Sequence, residues 1–260
     1  MAAQEATVPA EAPEPYEDDA CPDASFSFIP LEANPQLMTS LLHRLGVDPA
    51  VAVHDVFSLT EPDMLAFVPR PAMGLLLVFP MSDAYEQHRL AEDADRDLYL
   101  GKGSSEPVMW FRQTIKNACG LMGLLHATAN GPARNFVGEG TPLDALLKQA
   151  VDLDPRSRAK LLETNEALAA AHLAAAEQGD TTAPDALDKI DLHYVCFVRT
   201  DDGTLWELDG RRKGPLARGR LGPDEDVLSE KALEWGPLAF LARESADLRF
   251  SCVALGPSTE

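Results

Sequence analysis

FRQTIKNACGLMGLLHATAN, residues 111–130, decides how the rest of the chain is read. Leu121, Leu124 and Leu125 recur at helical spacing, and Asn117 just ahead of them is a preferred N-cap residue. The pattern predicts a helix with Cys119 in its first turn. There the unpaired backbone N–H groups and the positive end of the helix dipole stabilise a thiolate, the form of cysteine that attacks carbonyls. Gly120 would let a substrate backbone come close. Gln113, six residues upstream, offers an amide donor for the oxyanion formed by such an attack, beside the N–H of Cys119 itself. Glutamine ahead of cysteine is the papain-like layout. The same stretch also reads as a buried helical cysteine behind a solvated glutamine, since free cysteine is among the most buried residue types.

Working outward, 260 residues suffice for one large or two small domains with a substantial core. No apolar run reaches the roughly 18 residues of a membrane span, and GLLLVFP at 74–80 fits a buried strand. No Lys or Arg precedes Arg44 and no apolar h-region is present, which argues against a mitochondrial presequence and against secretion. Cys21, Cys119, Cys196 and Cys252 form no CxxC or Cys/His cluster, so no metal or other cofactor is expected. A reducing compartment follows, the cytoplasm first and the nucleus second. The formal charge of −20 argues against nucleic acid and favours a partner with a basic face, although solubility alone also explains it.

Residues 1–24, rich in Ala, Pro and acid, are too polar to bury a face and read as a disordered tail. Asn34-Pro35 starts a helix with Leu37, Leu41, Leu42 and Leu45 on one face, and Gly46 stops it. VHDVFSL (53–59) and GLLLVFP read as strands, with a helical turn after Glu61-Pro62 between them. Residues 83–108 read as charged and irregular. TPLDALLKQAV and DPRSRAKLLETNEALAAAHLAAAEQ read as two amphipathic helices, followed by a polar connection at 177–189. DLHYVCFVRT and TLWELDG form a hairpin, GRRKGPLARG a basic loop, 227–233 and 235–243 helices, and DLRFSCVAL a last strand with Cys252 facing the core. Together these elements predict an α+β or three-layer fold.

The hairpin supplies a base. If Asp201, Asp202 and Gly203 form a three-residue loop with Gly203 left-handed, Thr200 pairs with Thr204 and His193 falls opposite Arg211. Asp209 is then diagonal to His193 on the same face, and diagonal neighbours lie roughly 7–8 Å apart, within reach of an imidazole–carboxylate bond. A two-residue loop would send Asp209 to the other face. His43, His54, His88, His126 and His172 lack a comparable acid and are read as non-catalytic. Alone, His193 fits a hydrogen-bonded core histidine and Asp209 a turn residue. In combination with a helix-start cysteine and an upstream glutamine they fit a thiol hydrolase.

QTIKNACGLMGLLHA, DLHYVCFV and LWELDGRRKGP resemble the ubiquitin C-terminal hydrolase family of cysteine deubiquitinases. PLEANPQL, VPRP at 68–71 with the following LLLVFP, and DLRFSCVAL fit it too, so the resemblance covers residues 26–256. It implies a knotted papain-like α+β domain in α/β/α layers over residues 25–257, with a central antiparallel sheet and a crossover at about 176–189 spanning the active site. By match to the family motifs, Cys119 is the nucleophile, His193 the general base and acid, Asp209 the residue orienting the imidazole and Gln113 the oxyanion donor. The family's ubiquitin contacts fall on Pro30, Leu31, Glu32, Ala33, Asn34 and Pro35, loosely on 176–183, and on Leu248, Arg249 and Phe250. Leu121 stands where the family has Thr or Ser, Trp206 replaces a Tyr, and the hairpin turn is one residue longer.

The implied reaction is hydrolysis of small or unfolded adducts from ubiquitin's C-terminal glycine by a monomer with no membrane or nucleic-acid partner. Two alternatives stand beside it. One is a ubiquitin-holding protein with little turnover; the other is a hydrolase preferring a ubiquitin-like modifier such as the one attached to cullins.

Overall fold

The computed structural model describes residues 26–179, 192–243 and 249–259, so the expected tail, most of the crossover and Leu248 lie outside the described residues. Six strands, β1 (Val51–Asp55), β2 (Gly74–Pro80), β3 (Leu192–Arg199), β4 (Thr204–Leu208), β5 (Leu216–Arg220) and β6 (Ser251–Pro257), form one sheet in the order β1-β6-β2-β3-β4-β5. Every pairing is antiparallel. All seven residues of β2 are buried, which explains its unbroken apolar sequence, because both faces of the sheet are covered.

Alternation sorts the strand residues between two cores. Leu76, Val78, Cys196, Val198, Val253 and Leu255 join a cluster with α1 (Pro35–Leu45), α4 (Cys119–Ala129), α5 (Pro142–Val151), α6 (Pro155–Glu163) and α7 (Glu166–Ala176). Leu75, Leu77, Phe79, Val195, Phe197, Cys252 and Ala254 face the other way, towards α2 (Pro62–Leu65), α3 (Asp83–Asp93), α8 (Glu230–Trp235) and α9 (Pro237–Leu241). The result is the expected α/β/α arrangement. Among the described residues no helix is long and apolar enough to cross a membrane. The expected knot depends on how 180–191 passes and lies outside the described residues.

Several expectations are corrected. Asp83–Asp93 is a helix, capped by Ser82 accepting from Tyr85 N, inside the segment read as irregular. Its buried residues are Tyr85, Arg89 and Asp93, so it is held by charge pairs and has no apolar stripe to read. The long alanine-rich helix is two, because Asn165 caps a fresh start by accepting from Leu168 N at 2.8 Å. β5 lies in the segment read as a basic loop, with Leu216 its one buried residue. β1 runs over 51–55, earlier than 53–59. Asn117 does not cap α4: the cap position is Ala118, and Asn117 takes a left-handed φ of 60°.

Candidate active site

Cys119 is the first residue of α4 and is partly exposed. Small residues let this helix lie close on the sheet: a Cβ at Gly123 would come within 2.9 Å of Leu76. Beside the cysteine, the space over Gly120 is filled by the chain itself, with Leu31 Cβ 3.2 Å and Tyr194 3.4 Å from an added Cβ. That corrects the expectation that Gly120 makes room for substrate. Tyr194 donates its hydroxyl to the Leu31 carbonyl at 2.9 Å, tying residues 30–33 over the start of the helix.

The hairpin turn forms as expected. Thr200 N donates to Thr204 O at 3.0 Å, Gly203 has φ 87°, and Asp202 ties the loop by accepting from Thr200 Oγ1, Thr204 N and Thr204 Oγ1. The register pairs Cys196 with Leu208, which carries His193 and Asp209 to one face. His193 Nε2 meets Asp209 Oδ1 at 2.8 Å with both side chains buried. The other ring nitrogen is left for Cys119, whose interaction with the imidazole favours the charged ring. Burial alone would push the imidazole towards neutrality, but the Asp209 carboxylate and the Cys119 contact outweigh it and raise His193 to about 9. Burial likewise opposes the Asp209 charge, yet His193, Arg212 and Tyr85 hold this carboxyl far below the usual carboxylate range. A histidine protonated at neutral pH therefore stands between the Cys119 sulfur and a permanent carboxylate.

Gln113 is partly buried; its backbone N donates to Gly210 O at 2.9 Å and its Nε2 to Ile115 O at 3.3 Å, while Oε1 is buried without a hydrogen-bond partner. A Cβ on Gly210 would fall 2.8 Å from Gln113 Cβ, so only glycine lets the segment after Asp209 pass this close. A cavity of 430 Å³ opens at Cys119, lined also by residues 30–33, Asn117, Leu192 and Tyr194. Among the described residues no group of His, Cys, Asp or Glu is arranged to hold a metal ion.

The profile of "Ubiquitin carboxyl-terminal hydrolase, family 1" matches residues 28–235. The chain belongs to this family. A ubiquitin carboxyl-terminal hydrolase of Drosophila melanogaster is 37% identical over 229 residues, covering 88% of this chain and 97% of the relative. The human ubiquitin carboxyl-terminal hydrolase isozyme L1 is 37% identical over 226 residues, covering 87% and 96%. Among solved structures, the catalytic domain of Trichinella spiralis UCH37 bound to ubiquitin vinyl methyl ester superposes with a TM-score of 0.68 at 21% identity, covering 91% of this chain and 98% of that one.

Of the residues expected to touch ubiquitin in this hydrolase family, Pro30, Leu31, Glu32 and Ala33 line the Cys119 cavity, and Ser251 joins them from β6. Asn34 and Pro35 are occupied in starting α1, Asn34 by accepting from Gln36 N and Leu37 N. Arg249 is exposed, and Phe250 packs against the second core. The other histidines serve structure. His126 Nε2 accepts from Phe111 N at 3.0 Å, and His172, His43 and His54 hold the carbonyls of Ile29, Val51 and Pro257. His88, expected to lack an acid paired as Asp209 is with His193, has only the part-exposed Glu92 3.6 Å away one turn along α3.

Sequence reasoning missed the residues around Asp209. Tyr85 donates to Asp209 Oδ2 at 2.5 Å, Arg211 N donates to Oδ1 at 2.9 Å, and Trp110 Nε1 donates to the Asp209 carbonyl at 3.1 Å. The LDGRR run hinted only at Arg211 and Arg212, which follow Asp209 one glycine on.

Proposed function

We propose that the chain hydrolyses bonds from the C-terminal glycine of ubiquitin to small or unfolded leaving groups, with Cys119 as nucleophile, His193 as acid and base, Asp209 orienting the ring and Gln113 donating to the oxyanion. The observation that carries this reading is the buried His193, hydrogen-bonded to Asp209 and coupled electrostatically to Cys119, in a chain whose family is named for hydrolysis at ubiquitin's C-terminus. The Trichinella structure, of the same fold, was captured with a ubiquitin ester.

With its proton already on His193, the Cys119 thiolate forms a bond to the glycine carbonyl carbon as the carbonyl π pair, and with it the charge, moves to the oxygen between the Cys119 N–H and Gln113. His193, protonated at neutral pH, gives its proton to the departing amine or thiol. It then takes one from water, which attacks the thioester and frees ubiquitin with Cys119 restored. A glycine-ended tail suits the cleft because it brings no side chains past Leu31 and Tyr194. All four residues come from one chain, so the proposed reaction needs no group from a second copy. The three described cysteines are free thiols, which supports a reducing compartment such as the cytoplasm.

Cys119→Ala tests the reading. Turnover of ubiquitin carrying a small fluorogenic leaving group is expected to vanish while ubiquitin binding persists. Turnover above a small fraction of wild type in that variant would reject Cys119 as the nucleophile.

A further inference from the structure

We propose that Tyr85 is a positioning residue for this hydrolysis: its hydroxyl fixes the second oxygen of the Asp209 carboxylate, so that the first is presented squarely to His193 Nε2. The proposal rests on the functional reading above and extends it to α3, an element that carries none of the assigned groups. Asp209 Oδ1 accepts from His193 and from Arg211 N, whereas Tyr85 is the side-chain donor to Oδ2. Tyr85 is 3% exposed and Asp209 fully buried, so water does not supply a substitute donor. Burial first and the Asp209 charge second keep the phenol protonated, which makes it the donor of this bond.

The ring is itself held. Phe79, the strand partner of His193, meets it edge-on at 4.8 Å, and Phe240 stacks at 6.3 Å. One residue on, Glu86 pairs with Arg211, and Arg89 donates to the Arg211 carbonyl at 3.0 Å. Further along, Glu92 and Asp93 pair with Arg212. α3 thus grips the 209–212 segment through five residues, and only the Tyr85 contact reaches the carboxylate that bonds His193. The other charged or titratable groups facing the pair are Cys119 and His126 from α4, Glu207 from β4, and Arg211 and Arg212 beyond it. None of them is altered by deleting one hydroxyl.

Without the hydroxyl, the charge it drew towards Oδ2 falls on Oδ1. Asp209 then holds the His193 proton more tightly, and the imidazolium gives it up less readily. Tyr85→Phe should therefore raise the His193 titration midpoint by about half a unit to one unit and lower kcat roughly 3- to 10-fold, with KM unchanged because Tyr85 does not line the cleft. The midpoint is read by NMR of 13C-labelled histidine, assigned with His193→Gln, and needs no turnover. Site-specific 3-fluorotyrosine at position 85, a stronger donor of the same shape, should move the midpoint the other way. Opposite shifts in the two proteins establish the role. A His193 midpoint that is unmoved, or that moves the same way in both, overturns it, even if Tyr85→Phe is less stable. Absence of ubiquitin turnover in the wild type would instead refute the proposed function and leave the titration result standing.

Discussion

His126 sits in the middle of α4 with its imidazole buried, accepting from the Phe111 amide. Burial holds it neutral and lowers its midpoint to about 4 from an unfolded 6.5. The unfolded chain therefore binds a proton between those values and the folded chain does not, so stability falls as pH drops through that window, by roughly 3 kcal/mol in all. His193 has the opposite sign: raised to about 9, its contribution is complete below 6.5 and fades as pH rises towards 9. Denaturant titrations of wild type and His126→Gln at pH 7.5 and 4.5 separate the two. The variant should lose less stability on acidification; an equal loss would remove His126 as the cause. At this scale Cys119, His193 and Asp209 were legible, because each belongs to a local pattern and the turn arithmetic fixes which face His193 and Asp209 share. Tyr85 was not, since its bond to Asp209 spans 124 positions and nothing local marks it.

Among elements, those with an apolar stripe or a clear cap could be read, and those held by charge could not. α3 shows no stripe because Arg89 and Asp93 fill its buried side, and β5 reads as a basic loop because Arg218 is spent on Glu207 and Glu92. α6 contributes to the site at a distance. Its Arg158, fully buried, pairs with Glu106 at 2.5 Å and donates to the Trp110 carbonyl at 3.2 Å, which holds the strand of chain whose indole reaches Asp209. Breaking a buried pair leaves one charge without compensation. Glu106→Gln is expected to cost about 3–5 kcal/mol, read by urea denaturation, and to reduce turnover as Trp110 loosens. A loss below about 1 kcal/mol would mean that Arg158 is satisfied by backbone carbonyls alone.

On the scale of the whole molecule, the sheet with helices on both faces followed from strand patterns and family motifs together, whereas strand order did not. β6, last in sequence, lies between β1 and β2, a pairing set by long-range packing that no local pattern records. The formal charge of −20 acts at this scale as well. If it steers ubiquitin through a basic face, kcat/KM should fall several-fold between roughly 0.05 and 0.5 M salt while kcat holds. A salt-independent kcat/KM would assign the charge to solubility. The central claim, that Cys119 attacks the C-terminus of ubiquitin, is tested most directly by incubating the full chain with ubiquitin bearing a C-terminal electrophile and mapping the adduct by mass spectrometry. One ubiquitin on Cys119, absent in Cys119→Ala, is the predicted result. Folded protein that binds ubiquitin yet forms no adduct, or forms it on another cysteine, would contradict the account.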